Sequence, residues 1–147
     1  MRAVVTRVKS ASVEIEGRAG GSIGKGYLVL LGVAPEDTEK EAIWLADRIA
    51  GCRVFEDENG KMNLSLSQVG GEILVVSQFT LYADLKSRRP GFTGAARPDI
   101  AKPLYEFFMK ELEQKGFSIA HGEFGADMQV FSVNDGPVTL LFDSEVR

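Results

Sequence analysis

The sequence predicts an α+β fold: a mainly antiparallel, barrel-like sheet with two amphipathic helices, in a single domain spanning residues 1–147. Three observations predict it. Short apolar runs of strand character recur along the chain, separated by glycine-rich and Asn-Gly turns. Only two segments have the 3.6-residue apolar period of a helix. Their order is not a regular strand–helix alternation, which favours neighbouring strands paired antiparallel through tight turns.

"RAVVTRVKSASVEIEG" (Arg2–Gly17) reads as two short strands, Ala3–Val8 and Ala11–Ile15, joined by a polar turn at Lys9-Ser10. In the second, Ser12 and Glu14 alternate with Val13 and Ile15, the pattern of a half-buried strand. "RAGGSIGKG" (Arg18–Gly26) is a glycine-rich turn. It resembles a phosphate cradle only superficially, because the strand "YLVLLGV" follows it and no helix does. Asp37-Thr38 opens the first helix: Thr38 and Glu41 have the spacing of a capping box. Ala42, Leu45, Ala46 and Ile49 then line one face, and Gly51 is the stop signal.

"CRVF" reads as a strand, "EDENGK" as a turn on Asn59-Gly60, and "MNLSLSQVGG" as a short extended piece. "EILVVSQFTL" (Glu72–Leu81) predicts a central strand, almost without polar residues until Ser77. Pro98 or Pro103 starts the second helix as its first-position proline. Ile100, Leu104, Phe107, Phe108 and Leu112 form its apolar stripe, and Gly116 ends it. From Phe117 onward two or three strands follow, among them "MQVFSV" (Met128–Val133) and "VTLLF" (Val138–Phe142), with a turn at Gly136-Pro137 between them.

Composition narrows the function classes. No apolar run approaches the ~18–20 residues that span a bilayer, and "MRAVVTRV" lacks the apolar core of a secretory signal. A cytoplasmic protein with no membrane partner is expected. The single Cys52 cannot form an internal disulfide and lies in the apolar context "AGCRVF", as a structural thiol does. His121 is the only histidine, so a His/Cys zinc site is not expected and any Ser/His pair would have to use it. Its context, "SIAHGEFG", favours a surface or turn position. The net charge of −4 argues against indiscriminate nucleic-acid binding, and DNA is not an expected partner. The charge is uneven, however. From Lys86 to Lys102 five basic residues face one acid, whereas Pro35–Gly60 holds eight acids and three bases. Such a split suits one face meeting a polyanion, and it equally suits a solvated loop.

Two stretches hold candidate chemistry. In "ILVVSQFTLYAD", strand alternation would point Ser77 and Phe79 to one face and Gln78 and Thr80 to the other. These polar groups at the end of a central strand could orient a small ligand, or Ser77 and Thr80 could bond nearby backbone while Gln78 faces solvent. In "NDGPVT" (Asn134–Thr139), Asn134, Asp135 and Gly136 already supply turn chemistry, yet Pro137 gives up a backbone N–H at a strand start. A cis X–Pro bond costs about 0.5–1 kcal/mol over trans and in a tight turn marks a needed geometry. Gly136 and Pro137 would then project a rigid wedge of carbonyls; a strand-edge turn with a trans proline is the alternative.

"SQFTL" (Ser77–Leu81), "RRPGF" (Arg88–Phe92) and "NDGPVT" together resemble the D-aminoacyl-tRNA deacylase family. The resemblance runs the whole chain, through "RAVVTRVKSASVEIEG", "GYLVLLGV", "GKMNLSL" and "ADMQVFSVNDGPVT" in order. It implies a homodimeric esterase that removes D-amino acids from the 3′ end of tRNA and also clears mischarged glycine, with no cofactor. Ser77, Gln78, Phe79 and Thr80 would form the pocket for the terminal adenosine and its ester, the Phe79 and Thr80 N–H groups facing the oxyanion. Gly136 and Pro137, steadied by Arg7, would enter the partner's pocket and reject L side chains. Lys86, Arg88 and Arg89 would meet tRNA phosphates. The ribose 2′-hydroxyl would assist hydrolysis; Thr80 as a covalent nucleophile competes, without an obvious base. Two other classes stand beside this: an RNA-binding module built on the basic segment and Phe92, and a general esterase using Ser77 or Thr80.

Overall fold

The computed structural model describes Met1–Arg147. In chain order the first elements are β1 (Arg2–Ile15), β2 (Arg18–Ile23), β3 (Gly26–Gly32), α1 (Glu39–Gly51), β4 (Phe55–Glu56) and β5 (Met62–Leu64). They are followed by β6 (Glu72–Ser77), α2 (Pro98–Gln114), β7 (Ile119–His121) and β8 (Met128–Asp143). Strand β1 organises the sheet, pairing antiparallel with β2, β3 and β8. The remaining neighbours, β3–β6 and β6–β7, are parallel. Parallel neighbours need crossovers, and α1 and α2 lie in the two that join them. The main sheet runs β2-β1-β3-β6-β7 and curls until Gly21 of β2 lies against the His121 backbone of β7. A Cβ on Gly21 would come within 2.7 Å of the His121 carbonyl oxygen, so the near-closure of the barrel depends on a bare Cα there.

Alternation along β3 divides the apolar residues between two cores. Tyr27, Val29 and Leu31 pack beneath the helices, with Leu45, Ile49, Phe108 and Leu112. Leu28 faces the concave side with Val8, Val13, Ile23, Leu74 and Val76. The capping box of α1 is present: Thr38 Oγ1 accepts from Lys40 N, and Glu41 Oε2 accepts from Thr38 N at 3.1 Å. Thr38 Oγ1 also donates to Glu41 Oε2 at 2.6 Å, and this bond, with the smaller contribution of the Thr38 N–H, holds the Glu41 carboxyl below its ordinary value. Ala42, Leu45, Ala46 and Ile49 are the buried face of α1, as the periodicity predicts. Helix α2 starts at Pro98, with Pro103 inside it. Its buried stripe is Ala101, Leu104, Tyr105, Phe108, Met109 and Leu112, so Ile100 falls outside it and Phe107 only half-buries.

Three local expectations give way. Lys9-Ser10 is not a turn: β1 runs through it, and the two polar residues sit exposed where the register against β8 shifts. Much of the glycine-rich segment is strand β2, because the reversal happens earlier, at Glu16-Gly17, where both φ values are positive as a two-residue hairpin turn requires. Finally, Met128–Asp143 is one strand along β1, not two strands across a turn. Thr139 pairs with Thr6 and Asn134 with Val8, so Arg7 alone faces Asp135, Gly136, Pro137 and Val138. The surplus residues cannot fit the ladder and must leave it. The Gly136-Pro137 bond in that excursion is cis.

Candidate active site

Three parallel strands end on the same side of the sheet, and each hands its next residues to one cavity of about 630 Å³. The carboxyl ends of parallel strands are where crossovers depart, which leaves a crevice there. Leu31 and Val33 come from the end of β3, Ser77, Gln78 and Phe79 from β6, and Phe124 to Met128 from the segment after β7. Phe92, Arg97 and the start of α2 complete the wall.

Strand β6 stops at Ser77 because Gln78 leaves the β region (φ −143, ψ 81), and Phe79–Tyr82 form a 3-10 turn. Alternation therefore ends at Ser77 and does not decide where Phe79 and Thr80 point. The turn is fixed by backbone bonds from Gln78 N to Leu31 O (2.8 Å) and from Leu81 N to Gln78 O (3.2 Å). Phe79 and Thr80 head it, so their N–H groups have no carbonyl three residues back within the turn. Ser77, Gln78 and Phe79 line the cavity; Thr80 is exposed and does not, but its Oγ1 accepts a 2.6 Å bond from Gln78 Nε2. The outer side of the turn is held by Arg2. Its Nη1 donates to Leu81 O (2.9 Å), its Nε donates to Asp143 Oδ2 (2.9 Å), and its guanidinium lies 4.4 Å from the Tyr82 ring centre. Burial pushes the Asp143 carboxyl up, but the Glu145 N–H and Arg2 outweigh it and hold it below its ordinary value.

Arg7 is nearly fully buried, with 5% of its surface exposed. Its Nε donates to Asp135 O at 3.2 Å and lies 3.4 Å from Asp135 Oδ2, and its Nη1 donates to Val54 O. Gly136 has φ +114, outside the range of L side chains, and a Cβ there would stand 2.8 Å from Arg7 Nη2. Arg7, Gly136 and Pro137 are thus brought together, but away from Ser77–Thr80. Arg7 registers with Tyr27 and Ser77 with Leu31, so four residues along the strands separate them, roughly 13 Å. Neither Gly136 nor Pro137 lines the cavity of its own chain.

Lys86, Arg88 and Arg89 sit exposed on a short hairpin closed by reciprocal bonds between Asp84 and Gly91 (2.7 and 2.9 Å). His121 lies on β7 with Nδ1 2.6 Å from Gly122 O and belongs to a separate cavity beside Arg18 and Lys102. Cys52 caps α1 half-buried, and burial pushes its thiol up. No cluster of three His, Cys, Asp or Glu is arranged to hold a metal, and no helix is long and apolar enough to cross a membrane. Sequence reasoning missed Arg2 and the wall formed by Phe124, Met128 and Arg97. Only "EFGADMQV" hinted at it, by leaving an aromatic residue and a glycine between two strands.

A family model described as D-Tyr-tRNA(Tyr) deacylase matches residues 4–143. A "D-aminoacyl-tRNA deacylase" of Desulfatibacillum aliphaticivorans is 60% identical over 146 residues, covering 99% of this chain and 100% of the relative. One from Thermosipho africanus is 56% identical, covering 99% and 98%. Among solved structures, "c-Myc DNA Unwinding Element Binding Protein" superposes with a TM-score of 0.91 at 44% identity, covering 97% of this chain and 98% of that one. A "probable eukaryotic D-amino acid tRNA deacylase" shares the fold, with a TM-score of 0.83 at 16% identity over 96% of this chain and 97% of that one.

Proposed function

The chain belongs to the D-Tyr-tRNA(Tyr) deacylase family and is a hydrolase of the D-aminoacyl-tRNA ester bond, and from this premise we propose how its residues do the work. One deacylase domain covers residues 1–147, and it acts in the cytoplasm, proofreading charged tRNA. The terminal adenosine and its ester occupy the cavity at Ser77–Phe79. The Phe79 and Thr80 N–H groups donate to the developing oxyanion, and their place at the head of the 3-10 turn supports that role. The neighbouring ribose 2′-hydroxyl assists attack of water on the ester carbonyl, releasing free amino acid and tRNA. A Thr80 nucleophile is disfavoured by its partner: Gln78 Nε2 donates to Thr80 Oγ1, whereas a nucleophile needs a base that accepts its proton. The cavity wall contains no histidine.

The observation that carries the chiral part of the proposal is the separation of Gly136-Pro137 from the cavity of their own chain. They project from β8, which pairs only with β1 and exposes Phe131 (48%), Val133 (54%) and Leu141 (67%) along its outer edge. An isologous homodimer would cover those side chains and carry each excursion to the partner. There the Gly136 and Pro137 carbonyls meet the chiral carbon and reject an L side chain, while glycine, having none, passes. A main-chain screen is indifferent to side-chain identity, which suits an enzyme acting on many D-amino acids. Lys86, Arg88 and Arg89 position tRNA through its phosphates. Matched D- and L-tyrosyl-tRNA given to the purified protein test the proposal. Selective release of D-tyrosine is expected. Equal hydrolysis of both would make it a general esterase, and tRNA binding without turnover would leave an RNA-binding module.

A further inference from the structure

The hairpin that presents Lys86, Arg88 and Arg89 ends at Gly91, and the next residue is Phe92. Its ring meets Phe79 edge to face, with centroids 5.1 Å apart and planes at 70°. Within a single chain both rings are open: Phe79 is 53% exposed and Phe92 41%. A pair serving only the fold would be buried, since an aromatic ring gains most by leaving water. In an edge-to-face contact only one π-face is used, so each ring keeps a face without an aromatic partner. Phe79 lies at the strand end where the ester is read, Phe92 forms the wall beside it, and the basic hairpin ends one residue before Phe92. Pocket, aromatic face and cationic tip therefore follow one another outward.

Single-stranded nucleic acid is held by this combination of aromatic faces for bases and positive charge for the backbone. We propose that Phe92 is a stacking platform for the nucleotide preceding the terminal adenosine, with Lys86, Arg88 and Arg89 on the adjoining phosphates. The inference rests on the deacylase reading and deepens it: the enzyme selects esters carried on an unpaired 3′ end, whatever the tRNA. An acceptor end folded back into a duplex would hide the base face that Phe92 needs.

The test compares D-tyrosyl-tRNA with D-tyrosyl-adenosine, which has no preceding nucleotide, in the wild type, Phe92→Leu and Phe92→Trp. Loss of one stacked base lowers affinity roughly tenfold. The ratio of kcat/KM on the tRNA ester to that on the adenosine ester is expected to fall about tenfold in Phe92→Leu, mainly through KM, and to be kept in Phe92→Trp. Taking a ratio cancels any disturbance of Phe79 common to both substrates. An unchanged ratio in Phe92→Leu would overturn the platform, whether both activities fall together or neither moves. Wild-type protein inert toward both esters would overturn the deacylase reading itself, a result distinct from active wild type with an unchanged ratio.

Discussion

Two segments leave the sheet, and they are held in opposite ways. The Ser77–Tyr82 turn departs at a strand end and is fixed chiefly by backbone bonds, from Gln78 to β3 and within the turn. The Asp135–Val138 excursion departs in mid-strand, where the ladder has no partner to offer, and a single buried side chain, Arg7, ties it down. The first is robust to side-chain change because its geometry is local backbone. The second is fragile because it depends on one guanidinium and one residue without a Cβ. Both anchors lie on β1: Arg2 donates to Leu81 O and Arg7 to Asp135 O.

That contrast orders the expected effects of mutation. Gly136→Ala adds a Cβ against Arg7 Nη2 at a φ of +114, so it displaces the guanidinium as well as straining the chain. Such strain costs about 1–3 kcal/mol, and its upper end, carried into the transition state, corresponds to about a hundredfold loss of kcat/KM on D-tyrosyl-tRNA. Wild-type kinetics in that variant would falsify the screen. Arg7→Met keeps bulk but leaves Val54 O and Asp135 O without their donor, a loss of about 1–3 kcal/mol for each group stranded. Denaturant unfolding should register it, and the preference for D over L ester should drop about tenfold; an unaltered preference would mean the excursion holds itself.

Thr80→Ala sharpens the comparison from the other side. The backbone of the turn does not need the hydroxyl, so activity should fall less than tenfold; abolition in a folded protein would restore Thr80 as nucleophile. Smallest is Asp143→Asn, which loosens Arg2 but leaves the backbone bonds of the turn. Stability should drop by about 1 kcal/mol at neutral pH. Asp143 titrates below its ordinary value when folded, so its contribution is present above the ordinary carboxylate range and is lost as pH falls through the depressed value. Acid unfolding followed by circular dichroism should therefore be shallower in the variant than in the wild type. Identical acid limbs would show that the Arg2–Asp143 pair does not sense pH.

What could be read from the sequence was what neighbouring residues decide. The Thr38–Glu41 box and the Ala42, Leu45, Ala46, Ile49 face define α1 without reference to the rest of the chain. "SQFTL" and "NDGPVT" marked both departures from the sheet, by the polar residues after a buried strand and by Pro137 within an extended run. Lys9-Ser10 misled because exposed polar residues look alike in a turn and in a strand whose register shifts. The cavity was not legible. Its walls come from the ends of β3, β6 and β7, separated by two crossovers, and no local pattern announces that Phe124 and Met128 will line the same cavity as Ser77. The distance between Arg7 and Ser77 was likewise a matter of register, fixed only by which residues of β1, β3 and β6 align.

Because Gly136-Pro137 lie outside the cavity of their own chain, a defect in the excursion and a defect in the pocket need not fall on the same site in a symmetric pair. Mixing Gly136→Ala chains with chains damaged at Phe79 would give hybrids in which one site receives both lesions and the other receives none. Two inactive alleles co-expressed in one cell would then complement each other, recovering activity in proportion to the hybrid fraction, as no pair of lesions within a self-contained site could do.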